Sequence, residues 1–192
     1  MSTVEWVAAL AGAISVYLSA RENIWSWPTA IVNVGLYIFI FRESHLYSDM
    51  GLQVVYLALS IYGWYEWLHG GAHRSRLEVS KASPRVWTVS VVAGALGWLV
   101  LYSITRRLPN VSIPSIDSAL TATSLIAQWM MTRKILENWI LWIAADIVYV
   151  PMYIYKKLYV TSGLYLVFLI LAIMGLVEWR KSYRQHRSAA SS

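Results

Sequence analysis

Trp139, Trp142, Asp146, Tyr149 and Tyr153 recur at intervals of three and four residues, which places two indoles, a carboxyl group and two phenols along one helical face. A carboxylate among aromatic rings suits a flat aromatic cation, since each ring adds stacking and cation–π attraction of about 0.5–2 kcal/mol. Asp146 lies about 12 Å along the helical rise from Asn138. No Lys or Arg shares that depth in the sequence, so its carboxyl is either protonated, hydrogen-bonded, or paired with a cationic solute. The indoles of Trp139 and Trp142 equally suit anchors at a membrane interface, although Trp142 is a turn deeper and on the Asp146 face.

Two further lines share this spacing: Asp49, Gln53, Tyr56, Ser60, Gly63 and Trp67, and then Asp117, Thr121, Ser124 and Gln128. Asn33 sits in the middle of another apolar stretch. Polar groups at membrane depth need a partner or a watery cavity, so these faces are expected to converge on one central cavity. Bonding helix to helix is the competing role, and it suits Ser60, Thr121 and Ser124 best. Glu66 and Glu178 are weaker candidates, because each ends a helix where a negative charge meets the negative end of the dipole; Arg180 and Lys181 stand beside Glu178 as compensation.

The elements that must position these side chains follow from composition. With 58% hydrophobic and 14% charged residues in a chain of 192, too little polar surface exists to coat a water-soluble globule. Eleven Trp and thirteen Tyr exceed what a core of this size needs and fit interfacial belts. Apolar stretches long enough to cross a core of about 30 Å recur seven times, at 4–20, 24–41, 46–69, 86–106, 116–134, 138–156 and 159–179. Arg21-Glu22-Asn23, Arg42-Glu43-Ser44, the polar stretch Gly70 to Arg85, Pro109 to Pro114, Lys134 to Glu137, and Lys156-Lys157 separate them. The first stretch has no positive region before it and Glu5 at its start, so it reads as a membrane helix and not a cleaved leader.

Seven spans put the termini on opposite sides. The side of the C-terminus then holds eleven Lys and Arg (Arg21, Arg74, Arg76, Lys81, Arg85, Arg133, Lys134, Arg180, Lys181, Arg184, Arg187) against five on the other (Arg42, Arg106, Arg107, Lys156, Lys157). The positive-inside rule places the C-terminus in the cytoplasm and the N-terminus outside, in a cell inner membrane. The same scatter of charge over loops argues against nucleic acid as a partner, despite a net charge of +6. The tail after Lys181, rich in Arg, Ser and Ala, is expected to be disordered.

Cysteine is absent and the four His lie in loops or the tail, so no metal site and no cofactor is expected. Neither a nucleophile–base pair nor a phosphate-cradling Gly loop is visible, which argues against an enzyme. A sensor or scaffold is the competing class, but the loop from Gly70 to Arg85 is too short for a soluble output domain.

The second and third stretches resemble the sixth and seventh. Glu22-Asn23 with Trp27 matches Glu137-Asn138 with Trp142, after which a register shift of three residues is expected in the next loop. Beyond it Leu46-Tyr47, Gly51-Leu52 and Gly63-x-x-Glu66-Trp67 match Leu158-Tyr159, Gly163-Leu164 and Gly175-x-x-Glu178-Trp179. The expected fold is an all-α membrane protein with seven transmembrane helices: a three-helix repeat over 1–69, a cytoplasmic loop and linker helix over 70–106, a second three-helix repeat over 107–179, and a basic tail over 180–192. Four helices separate equivalent positions, so the repeats are parallel, the 3+1+3 plan of SWEET-type transporters, with a solute site between bundles near the midplane. A homo-oligomer such as a trimer is compatible with this plan.

At this point the residues resemble the PnuC-type vitamin transporters. Met131-Thr132-Arg133-Lys134 followed by Glu137-Asn138-Trp139-Ile140-Leu141-Trp142 looks like that family's most specific signature, and Tyr62-Gly63-Trp64-Tyr65-Glu66-Trp67 and Trp27-Pro28 with Asn33 look like its first-repeat counterparts. The resemblance runs from about residue 22 to 179 and implies nicotinamide riboside as the usual solute. It also implies facilitated diffusion and trapping of the solute by a cytoplasmic kinase. Carried over by position, it implies that Trp139, Trp142, Asp146, Tyr149, Gln128, Asn33 and Gln53 border the solute. Asp146 departs from the Asn expected in nicotinamide riboside carriers, and relatives carry thiamine or riboflavin. The first two are flat cations that a carboxylate serves, whereas riboflavin is neutral.

Overall fold

The computed structural model describes residues 3–107, 113–155 and 157–189; Pro109, counted above among the helix breakers, and Lys156, counted in the charge balance, lie outside them. The described residues form seven α-helices: α1 Thr3–Ala20, α2 Ser26–Glu43, α3 Tyr47–His69, α4 Pro84–Thr105, α5 Pro114–Thr132, α6 Asn138–Tyr155 and α7 Tyr159–Ala189. The ends fall within two or three residues of the expected spans except at the last. There the helix continues through Arg180, Lys181, Arg184, Gln185 and Arg187 to Ala189 in place of the expected disorder. No Gly or Pro interrupts this run, its Arg, Lys and Gln are good helix formers, and its cations sit at the favourable end of the dipole.

α1, α4 and α7 are long and apolar enough on their own to cross a membrane. The other four carry Asn33, Gln53, Asp117, Gln128 and Asp146 and reach lower hydropathy for that reason. α1, α2 and α3 pack in chain order, as α5, α6 and α7 do, and the two sets meet where α1 lies on α7 and α3 on α5. α4 packs on α5 and presents Val91, Leu96 and Val100, each more than half exposed, on its outer face. Apolar side chains outside and polar ones inside are what a bilayer solvent selects.

One number relates the two sets. α2 and α6 begin at Ser26 and Asn138, α3 and α7 at Tyr47 and Tyr159, and α1 and α5 end at Ala20 and Thr132, each pair 112 residues apart. The turns repeat too. Asn23 N–H donates to the Leu18 carbonyl and Ile135 N–H to that of Met130; Leu46 N–H donates to Phe41 and Leu158 N–H to Tyr153. These are six-to-one helix-ending bonds, and each needs a left-handed residue. Glu22 (φ 53°) and Lys134 (φ 48°) supply it in one turn, His45 (φ 56°) and Lys157 (φ 60°) in the other, where glycine would be the unstrained choice. The expected register shift is therefore absent: Trp27 corresponds to Trp139, not Trp142, and Glu22 to Lys134, not Glu137.

Candidate functional site

Gly63 and Gly175 fix the floor of the site. A Cβ on Gly63 would overlap the Trp27 indole, and one on Gly175 would overlap that of Trp139, so each glycine admits a ring against the backbone of its helix. Each ring then meets, edge-on, the Trp four residues after that glycine: Trp27 with Trp67 at 5.3 Å and 90°, Trp139 with Trp179 at 5.4 Å and 88°. Trp67 and Trp179 meet at 5.8 Å between the two sets. Their indole N–H groups donate across the boundary, Trp67 to the Met131 carbonyl and Trp179 to that of Ser19, both at 3.0 Å. Aromatic contacts of this kind add about 0.5–1.5 kcal/mol each beyond the area they bury. Lys134 covers the layer on its far side, 4.7 Å from the Trp67 ring centroid, and pairs with Glu22 at 2.7 Å.

On the other side of the indoles lies a cavity of about 750 Å³, within the range of small-molecule sites. Every helix but α4 lines it. All seven residues expected to border a solute meet there: Asn33, Gln53, Gln128, Trp139, Trp142, Asp146 and Tyr149. They arrive with different obligations. Asn33 Nδ2 donates to the Ala8 carbonyl at 2.7 Å, an approach that Gly12 permits, so its amide also bonds α2 to α1. Trp139, 1% exposed, belongs equally to the indole layer. Asp146 is 3% exposed, and among the described residues no cation or hydrogen-bond donor reaches its carboxyl. Taking an ionised carboxyl out of water costs several kcal/mol, so this group needs a positive partner from outside the chain or a proton.

The remaining polar residues divide. Tyr56, Ser60, Ser124 and Tyr153 line the cavity, whereas Asp49, Asp117 and Thr121 do not. Thr121 donates to the Asp117 carbonyl and Ser60 to that of Tyr56, each within its own helix. Ser124 shares the cavity wall with Tyr56 of α3 and Tyr149 of α6. Glu66 and Glu178 stay out of the cavity, and Glu178 pairs with Lys181 at 3.2 Å.

Three contributors escaped the sequence reading. The Tyr165 ring lies tilted against those of Tyr149 and Tyr153 at 4.7 and 4.9 Å between centroids, and Phe168 meets it edge-on at 5.7 Å; both line the cavity. The third is Trp27, whose indole N–H, like that of Trp139, is buried without an acceptor among the described residues. The 112-residue offset would have found them, since Tyr165 and Phe168 stand where the first half has Gln53 and Tyr56. Among the described residues the lining thus offers aromatic side chains, the amides of Gln53 and Gln128, and one carboxyl, which together suit a flat, positively charged solute with polar substituents.

Residues 2–181 match the family described as nicotinamide mononucleotide transporter, and the chain belongs to that family. It is 28% identical to the nicotinamide riboside transporter PnuC of Escherichia coli (strain K12), over 100% of this chain and 91% of the relative. It is 27% identical to the riboflavin/roseoflavin transporter RibM of Streptomyces davaonensis, over 91% of this chain and 83% of the relative. The crystal structure of the vitamin B3 transporter PnuC superposes with a TM-score of 0.74 at 23% identity, covering 95% of this chain and 83% of that one, and so shares the fold. The chain is accordingly a multi-pass membrane protein of a transporter family.

Proposed function

We propose that this chain carries a vitamin-type aromatic cation, nicotinamide riboside in first place, across the cell inner membrane through the cavity between its halves. The observation that carries the reading is Asp146, among the described residues the one carboxyl that lines the cavity, buried in a wall shared with Trp142, Tyr149 and Trp139 and with no described cation beside it. In this reading the cationic ring supplies the missing charge, and Trp142, Tyr149 and Trp139 stack on it. Gln53, Gln128 and the free face of Asn33 bond the polar remainder. Thiamine satisfies the same charge requirement. Riboflavin is favoured by the likeness to RibM, but being neutral it forgoes the attraction to Asp146.

The architecture we infer is two parallel three-helix repeats, 1–69 and 107–179, joined by the loop and linker helix of 70–106 and followed by the basic tail 180–192. The shared offset of 112 residues supports it, and an even number of helices between counterparts gives both repeats one orientation. The charge balance supports a cytoplasmic C-terminus. A reporter that is active only in the cytoplasm, fused after Ser192, is expected to be active; activity of an externally directed reporter alone would overturn this orientation.

Among the described residues Asp146 is the only carboxyl along the cavity wall, which leaves no chain of carboxylates for a proton relay, so the mechanism inferred is facilitated diffusion with trapping by a cytoplasmic kinase. In proteoliposomes, labelled nicotinamide riboside is expected to equilibrate without an ion gradient and to accumulate only when a kinase and ATP are enclosed. Accumulation of unmodified solute on imposing a proton or sodium gradient contradicts the mechanism. Binding without any uptake makes the chain a sensor or scaffold.

A further inference from the structure

The loop from Gly70 to Ser83 is a strap and not a free connector. Leu77 N–H returns to the Trp67 carbonyl at 3.2 Å, and Val79 is buried against the indole layer. Ser80 exchanges backbone bonds with Lys134 and Leu136 at 3.0 and 2.8 Å, and the Glu137 carboxylate accepts from Ala82 N–H at 2.8 Å. Lys81 is therefore held at a fixed place, with its ammonium 5.2 Å from the Tyr183 ring centroid. Opposite it, the extension of α7 sets Arg180, Arg184 and Arg187 at intervals of four and three, which is one helical face. These four cations, with Tyr183 and Ser188, line a groove of about 380 Å³.

Among the described residues no carboxylate lines this groove; of the acids nearest in sequence, Glu78 lies 4.0 Å from His186, Glu178 pairs with Lys181, and Glu137 holds the strap. Four like charges converging on one concavity repel one another unless an anion joins them, and Arg forks match phosphate oxygens two at a time. From Tyr159 to Trp179, α7 rises about 30 Å, the thickness of the hydrocarbon core. The groove begins at the next residue, so a hydrocarbon core that spans Tyr159 to Trp179 would bring it to the level of lipid phosphates. We propose that this groove, formed by Lys81 and the Arg180, Arg184 and Arg187 face of α7, binds a phosphate group carrying two or more negative charges or an anionic lipid phosphate.

The test uses the full chain in nanodiscs and reads the thermal unfolding midpoint. In phosphatidylcholine discs the chain is titrated with inorganic pyrophosphate; in a second series phosphatidylglycerol replaces part of the phosphatidylcholine. Stabilisation by pyrophosphate identifies a soluble phosphate ligand, stabilisation by phosphatidylglycerol alone identifies a lipid headgroup, and either supports the proposal if the arginines carry it. The double substitution Arg184→Gln with Arg187→Gln is expected to abolish the response. Arg184→Lys with Arg187→Lys keeps the charge that topology requires but loses the forks, and is expected to raise the half-saturating concentration about tenfold. No response to either phosphate source, or equal responses in wild type and the Gln variant, overturns the proposal. Solute uptake by both variants in pure phosphatidylcholine is the control for folding, because neither residue lines the central cavity.

Discussion

The two halves of the molecule share helix starts and left-handed turn residues at an offset of 112 residues and divide over the chemistry of the cavity. Where the second half has Asp146, Trp142 and Gln128, the first has Val34, Ala30 and Val16; where the first has Asn33, Gln53 and Ser60, the second has Ala145, Tyr165 and Ala172. All of these but Ala145 line the same cavity. By contrast Trp27 and Trp139, Gly63 and Gly175, and Trp67 and Trp179 keep both identity and contact geometry. Positions that agree build the floor and hold the halves together. Positions that differ make an asymmetric lining, which is what an asymmetric solute requires.

The strongest way to break the comparison is at the agreeing positions. Gly63→Leu or Gly175→Leu drives a side chain into the space of Trp27 or Trp139, and a close-packed layer has no route to absorb it. Each is expected to cost about 3 kcal/mol or to prevent folding, and the two should be alike in thermal unfolding in detergent. A large loss at one glycine and tolerance at the other would dissolve the equivalence.

Lys134 and Glu22 are counterparts that differ in sign and bond each other, with side chains 9% and 23% exposed. Removing one partner strands the other in a poorly hydrated place, so Glu22→Gln and Lys134→Met are each expected to cost about 2–3 kcal/mol. The double variant should cost less than their sum, as a double-mutant cycle of unfolding free energies will show. Additive losses would mean that the pair does not join the halves.

Much of this was legible from spacing. Polar residues at intervals of three and four in the third, fifth and sixth spans could face lipid only at high cost, so Gln53, Gln128, Trp142, Asp146 and Tyr149 could be assigned to one cavity before any contact was known. What escaped depends on contacts distant in the chain. The repeat register is set by indoles packed on glycines 36 residues further on, Trp27 on Gly63 and Trp139 on Gly175, and a local match of Asn to Trp pointed to the wrong partner. Tyr165 and Phe168 were hidden because α7 is apolar on every side and gives no stripe to read. Val79 was overlooked as one apolar residue in a polar loop, although its burial is what turns that loop into a strap. The helix beyond Lys181 was missed because composition speaks for disorder while continuity with a stable span speaks against it.

The central claim is that Asp146 recognises charge, and it is tested most directly by binding to wild type and Asp146→Asn, which preserves shape and removes the carboxylate. Affinities are measured for nicotinamide riboside and for a neutral analogue of similar size. Across a cavity of intermediate dielectric the attraction should be about 1.4–2.8 kcal/mol, so affinity for the cation is expected to fall by about tenfold to a hundredfold while the neutral analogue changes little. Equal losses for both ligands, or none for either, would contradict the account and leave Asp146 a packing residue.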